Sequence, residues 1–392
     1  MKSTFWKALA TSTKMAMMLA GCSSGQSNES ATTYEKGDTV KVGLNFELSG
    51  AVASYGNAEN NGAKLAIKQY NENQDSKYTI EIIEQDNKGD VSESTMAASK
   101  LIEDQVAFMV GPATSTAAIA TYQTASDAKV PVISPSATQV GATTNDRKET
   151  YPYAFRICFE DSNQGKAMAA YTYNTLGKKK AAILNEVSDY GQGLAEAFTK
   201  KFESMGGEVV SKESYNAGDT DFAGILTKME QKDFDVLYIA GYYSEAGLII
   251  KQARDDGATC PIVGGDGLDS TVLVDLAGET YLNDVYFTTA YTTVGASDAL
   301  TSFISAYQEE YGEDPNMFSV LAYDATTLGL QALEEAGAGG EALQSSLEGI
   351  EFNGLTGNFT FDDTHSPIKD VLIVKMVDGV QTESIKQDPE EK

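Results

Sequence analysis

Two short segments about twenty residues apart, Val110-Gly111-Pro112-Ala113-Thr114-Ser115-Thr116 and Ile133-Ser134-Pro135-Ser136-Ala137-Thr138, hold the residue types that suit a small carboxylate. Each follows a short apolar run and precedes a stretch of small residues. Placed at the N-termini of helices, they would offer free N–H groups, the positive end of the helix dipole and the hydroxyls of Ser115 and Thr138. The plainer alternative is that Ser115 and Ser136 only cap helices. Two neighbouring loops with the same chemistry favour one anion pocket over two isolated caps.

The elements that must position these loops are legible in the apolar pattern. Residues 106–110 and 130–133 are too short for helices and are bounded by Gly or Pro. They read as parallel strands buried on both faces. Adjacent strands of an open sheet bring such loops into one crevice. Upstream, strands are expected over 40–44 and 78–84 and helices over 57–70 and 92–103, which is the alternation of a doubly wound α/β sheet. A second series begins after Phe155-Arg156-Ile157-Cys158, with strands at 180–184, 208–215, 236–240 and 261–264 and helices at 190–205, 222–231 and 244–255. A strand at 285–289 and helices at 298–311, 318–335 and 341–347 follow. The chain closes with a hairpin of 371–377 and 380–385, turning at Asp378-Gly379.

Composition bounds what this fold can serve. The formal charge is −28, and loss of residues 1–21 would remove Lys2, Lys7 and Lys14 and no acid, giving −31. A field of that sign repels phosphate backbones, so nucleic acid is not an expected partner. Cys22, Cys158 and Cys260 are the only cysteines and lie in no metal-ligand spacing; one disulfide is possible but not implied. The single histidine, His365, sits in the acidic turn Asp362-Asp363-Thr364-His365 and reads as a solvated surface residue. No apolar run after Cys22 approaches the ~20 residues that span a bilayer. A chain of this length should divide into two lobes.

The N-terminus resembles the signal peptide of bacterial lipoproteins: Lys2 and Lys7, an apolar stretch from Met15 to Ala20 that begins only after Lys14, and the lipobox Leu19-Ala20-Gly21-Cys22. The resemblance implies cleavage before Cys22, acylation of its thiol, and retention at the outer face of the cell membrane. Residues 22–37, with almost no apolar content from Gln26 onward, read as a flexible tether.

From Val40 to about Glu383 the chain resembles the branched-chain-amino-acid-type substrate-binding proteins of ABC importers, which have the type I periplasmic-binding fold. The resemblance rests on the two loops above together with Gly50-Ala51-Val52-Ala53-Ser54-Tyr55-Gly56, Ser188-Asp189-Tyr190-Gly191-Gln192-Gly193, Ala240-Gly241-Tyr242-Tyr243-Ser244-Glu245, Gly264-Gly265-Asp266-Gly267 and Leu321-Ala322-Tyr323-Asp324-Ala325. It implies two doubly wound parallel-sheet lobes joined by three crossings, near residues 157–161, 288–292 and 361–364. Lobe 1 would comprise 38–157 and 292–361, lobe 2 would comprise 161–288 and 364–384, and 385–392 would form an acidic polar tail. By the same resemblance Ser115 and Thr138 hold a ligand carboxylate, Ser136 offers its backbone C=O to the ammonium, and Asp266 is the acidic ammonium partner. Asp266 departs from the family's frequent Glu, so lobe or ligand must sit closer or a water must intervene. Tyr55, Tyr190, Tyr242 and Phe318 match the aromatic walls.

A zwitterion needs an anion site, a cation site and a wall, and leaving either buried charge unpaired costs several kcal/mol. The expected function is therefore a monomeric, lipid-anchored receptor that captures a small amino acid, first Leu, Ile or Val, and passes it to an ABC permease. The alternative is a receptor or sensor of the same fold for another amino acid, an amide or a urea-like ligand. Catalysis is not expected, because no activating base accompanies Ser115; no cofactor and no metal are implied.

Overall fold

The structure, a computed structural model, describes residues 32–367 and 369–391. Residues 1–31, which include the lipobox and Cys22, lie outside the described residues. Five parallel strands form the first sheet: β1 (Thr39–Phe46), β2 (Thr79–Asp86), β3 (Met109–Val110), β4 (Val132–Ser134) and β5 (Ala154–Arg156), ordered β2-β1-β3-β4-β5. Between them run α1 (Ala53–Glu72), α2 (Val91–Glu103) and α3 (Ser115–Asp127). Val42, Leu44, Phe108, Val110, Val132 and Ile133 are all fully buried, as continuous apolar strands covered on both faces must be.

After α4 (Asp161–Ala170) the chain builds a second sheet from β6 (Lys180–Glu186), β7 (Glu208–Tyr215), β8 (Val236–Ala240), β9 (Ile262–Gly264) and β10 (Val285–Thr289). The helices α5 (Asp189–Ser204), α6 (Ala223–Glu230), α7 (Tyr243–Asp255) and α8 (Thr271–Ala277) connect these strands. Their order, β7-β6-β8-β9-β10, repeats that of the first sheet. In such an order the topological switch lies beside the first strand, so the loops that end β1 and β3, or β6 and β8, open on one crevice.

The remaining helices are α9 (Asp298–Tyr311), α10 (Met317–Ala336) and α11 (Glu341–Gly349), followed by a small hairpin of β11 (Phe352–Gly354) and β12 (Gly357–Phe359). Helix α10 returns to the first sheet. Gly62 on α1 lies so close to it that a Cβ there would come within 2.0 Å of the Ser319 carbonyl oxygen, and Gly329 lies against Phe108 and Ile133. The antiparallel pair β13 (Val371–Val377) and β14 (Val380–Gln387) then extends the second sheet at β10. Strand β14 runs on to Gln387, which is buried, so residues 385–387 belong to the sheet.

Three expectations need correction. Ser136 and Thr138 do not precede a helix; residues 135–150 form an irregular loop, and only the Ser115 loop opens a helix. His365 is buried, with 6% of its surface exposed. Its Nδ1 faces the Ala154 carbonyl at 3.0 Å, its Nε2 faces Glu348 at 3.1 Å, and its ring stacks on Phe155. The described end of the tether, residues 32–37, is docked: Thr33 pairs with Ala338, and Tyr34 N–H donates to Gly337 O at 2.9 Å.

Candidate functional site

The N-terminus of α3 is gripped from within the protein. Thr114 occupies the N-cap position without a side-chain cap bond. Glu47, just past the end of β1, accepts instead from Ala113 N and Thr114 N, both at 3.0 Å, and from Thr114 Oγ1 at 2.8 Å. Burial raises the Glu47 pKa while those donors lower it. The first-turn N–H groups of Ser115 and Thr116 are the ones a helix leaves for an external anion. Ser115 Oγ accepts from Gln139 N at 3.1 Å, which ties the two loops together.

Ser136 sits between Glu59 and the Ala113 carbonyl, its Oγ 2.8 Å from the latter. Burial drives the Glu59 pKa well above the usual carboxylate range. A protonated Glu59 donating to Ser136 Oγ, with Ser136 donating to Ala113, satisfies both contacts. Thr138 is buried, its hydroxyl has no hydrogen-bond partner among the described residues, and its carbonyl accepts from Asp161 N at 2.7 Å.

The second sheet supplies the opposite wall. Ser188 caps α5 through Gly191 N at 3.0 Å and sets Tyr190 in the first turn. Tyr190 OH donates to Asp266 Oδ1 at 2.8 Å and accepts from Gly267 N at 2.9 Å. Asp266, in a short turn after β9, is 2% exposed. Gln164 on α4 donates to Asp266 Oδ1 at 3.0 Å and to Asp161 Oδ1 at 2.8 Å, and its own oxygen accepts from Asp266 N at 3.1 Å. Burial pushes the Asp266 pKa up to about 6 against the pull of Tyr190 and Gln164. Asp161 is driven well above its usual range by burial and by Asp266.

Aromatic rings close the space between the walls. Tyr190 and Tyr242 stack with centroids 4.9 Å apart, Tyr55 lies 5.5 Å from Tyr242 and 4.4 Å from Phe318, and the Tyr55 hydroxyl donates to Gly267 O. Tyr55 thus reaches from α1 to the second-sheet side. A small, nearly filled cavity is lined by Tyr55, Ser115, Ser136, Tyr190, Tyr242, Asp266 and Phe318 together with Ala113, Thr114 and Gly267. Seven of the eight residues singled out in the sequence meet there, and Thr138 stands just outside that lining. A wider crevice of about 420 Å³ shares Thr114 and Tyr242 with the cavity, and Thr116 Oγ1, in its lining, donates to Asp189 at 3.1 Å.

Hydroxyls and helix N–H groups on one side, a buried acid on the other and aromatic rings between them can hold a small molecule with an anionic and a cationic end. Among the described residues no cluster of three or more His, Cys, Asp or Glu could hold a metal. The lone imidazole, His365, is committed to Ala154 and Glu348. Sequence reasoning missed Glu47, Glu59, Asp161 and Gln164. The start of α4 at Asp161 is the nearest local signal, since an acid in the first turn of a helix is ordinary.

A streptococcal structure, the branched-chain amino acid transporter substrate binding protein LivJ from Streptococcus pneumoniae in complex with isoleucine, is 39% identical with a TM-score of 0.84, over 90% of this chain and 100% of that one. The leucine binding protein LivK from Thermotoga maritima is 30% identical with a TM-score of 0.83, over 90% and 99% of the two chains. The Leu/Ile/Val-binding protein BraC3 of Rhizobium johnstonii is 30% identical over 336 residues, 83% of this chain and 88% of that protein. With residues 39–381 matching the model that describes the periplasmic binding proteins, the chain belongs to that family.

Proposed function

We propose that this protein is an extracytoplasmic receptor that captures a branched-chain amino acid and delivers it to an ABC permease. The observation that carries this reading is the opposition of Asp266 and the Ser115 helix terminus across one aromatic-lined cavity. Ser115 and Thr138 take the carboxylate, Ser136 and Asp266 take the ammonium, and Tyr55, Tyr190, Tyr242 and Phe318 surround an apolar side chain. Lobes joined at 157–161, 288–292 and 361–364 would close over the ligand, since partners for both charged ends lie on opposite walls. The site binds and releases its ligand unchanged. Acylated Cys22 would hold the receptor at the membrane as a monomer.

A thermal-shift screen followed by calorimetry tests the ligand class. Isoleucine, leucine and valine should raise the melting temperature most, because a ligand at about 1,000 times its Kd adds about 4 kcal/mol of stability. If all three leave the transition unmoved while another amino acid, an amide or a urea-like compound raises it, the branched-chain assignment is wrong.

A further inference from the structure

Arg156, the last residue of β5, is fully buried, and its guanidinium reaches three separate parts of the chain. Nη1 donates to the carbonyls of Ala137 at 3.1 Å and Gln139 at 2.7 Å, the two residues that flank Thr138. Nε donates to Ser366 Oγ at 2.8 Å, and Nη2 pairs with Glu160. Glu160 lies on the connection that leaves the first sheet, and Ser366 on the connection that precedes β13 in the second. The same loop grips that last connection elsewhere: Thr143 Oγ1 donates to Thr364 O at 2.6 Å and Thr150 Oγ1 to Asp363 O at 2.9 Å. Across the loop, Gln139 N donates to Ser115 Oγ and Thr138 O accepts from Asp161 N.

A planar fork with five donors can satisfy two carbonyls, a hydroxyl and a carboxylate at once, whereas an ammonium is a single point of charge. A movement of the Ala137–Gln139 backbone therefore has to be followed by Ser366 and Glu160, or a buried cation loses its partners. We propose that Arg156 is a positioning residue that holds the Ala137–Gln139 backbone, and with it Thr138, beside the pocket and couples that loop to the two inter-sheet connections at 157–161 and 361–367. The pocket side of this inference rests on the ligand reading above.

Hydrogen exchange of the full chain, wild type, Arg156→Lys and Ser366→Ala, tests the coupling with and without isoleucine as the probe. Without isoleucine, Ser366→Ala should raise exchange at least tenfold in residues 139–142, to which Ser366 makes no hydrogen bond; a response confined to 362–367 would overturn the coupling. With saturating isoleucine, the wild type should gain protection in both 137–142 and 362–367. Arg156→Lys should gain it only in the first segment and lose about tenfold in affinity. A purely structural role predicts a lower melting temperature but wild-type affinity and protection in both segments, and that result also overturns the proposal. A wild-type protein that takes up no isoleucine counts against the ligand reading, while the ligand-free arm still decides the coupling.

Discussion

Protonation of Asp266 should set the pH dependence of capture. Its carboxyl, buried and lifted to about 6, faces the Tyr190 hydroxyl and the Gln164 amide, with Asp161 beyond Gln164 and Asp269 close enough to feel its charge. An ammonium binds only the ionised form. About nine-tenths of the protein carries that form at pH 7 and about one-tenth at pH 5, so affinity for isoleucine should fall about tenfold between them, at about 1.4 kcal/mol per pH unit once well below 6. Burial drives Asp161 the same way, so any share it takes steepens the profile and cannot reverse it. The ligand-free protein has the opposite slope from this group. With the folded pKa above the ordinary value of 3.8, the folded state holds the proton more tightly and gains stability as pH falls through about 6. Calorimetry at pH 5, 6, 7 and 8 checks this against Asp266→Asn, which should bind about 2–5 kcal/mol more weakly and with a flatter profile. Wild-type affinity that stays level from pH 7 to pH 5, or a slope that the Asn variant keeps undiminished, refutes the assignment of Asp266 to the ammonium.

Other outcomes follow from the same geometry. Glu186 and Asp269 are both lifted to about 7 by burial, from ordinary values of 4.5 and 3.8, so each should add about 1.4 kcal/mol of stability per pH unit as pH falls below 7. The urea midpoint of the ligand-free protein should accordingly be higher at pH 5.5 than at pH 7.5, and a lower midpoint would contradict the burial assigned to these acids. Gly62→Ala gains about 1 kcal/mol of helix propensity but drives a methyl into the Ser319 carbonyl. Overpacking there should leave a net loss of about 1–2 kcal/mol by denaturation and, because Phe318 rides on the same turn of α10, a measurable loss of isoleucine affinity. Cys22→Ser should abolish palmitate labelling and membrane retention in cells; retention without labelling would mean that an uncleaved N-terminal segment holds the protein instead.

What could be read from the sequence is what repeats along it. Continuous apolar strands such as 236–240 and the helical stripe from Phe318 to Glu335 stand out because burial imposes a period on neighbouring residues. The motif segments of the family resemblance then bring Tyr55, Ser115, Ser136, Tyr190, Tyr242 and Asp266 to one cavity, and Phe318, which lies outside those segments, joins them. The rest was hidden for a physical reason. His365 sits in a run of polar residues, and nothing nearby says that Ala154, Phe155 and Glu348 will enclose it. Residues 32–37 looked like a spacer because their docking rests on backbone hydrogen bonds to 337–339 and on one ring, Tyr34 against Tyr78, which together leave no apolar period.

Arg156, Glu59, Asp161 and Gln164 make the same point at the site itself. A buried polar group is tolerable only when partners meet it, and for these four many of the partners lie 19 to 210 residues away in the chain. Compensation of that kind leaves no local pattern. It also gathers where the backbone has left the ladder, as in the loop between β4 and β5, because carbonyls such as those of Ala137 and Gln139 there need donors from side chains. The polar residues that the sequence could not assign are thus the ones placed to join the pocket to the connections that any closing motion must bend.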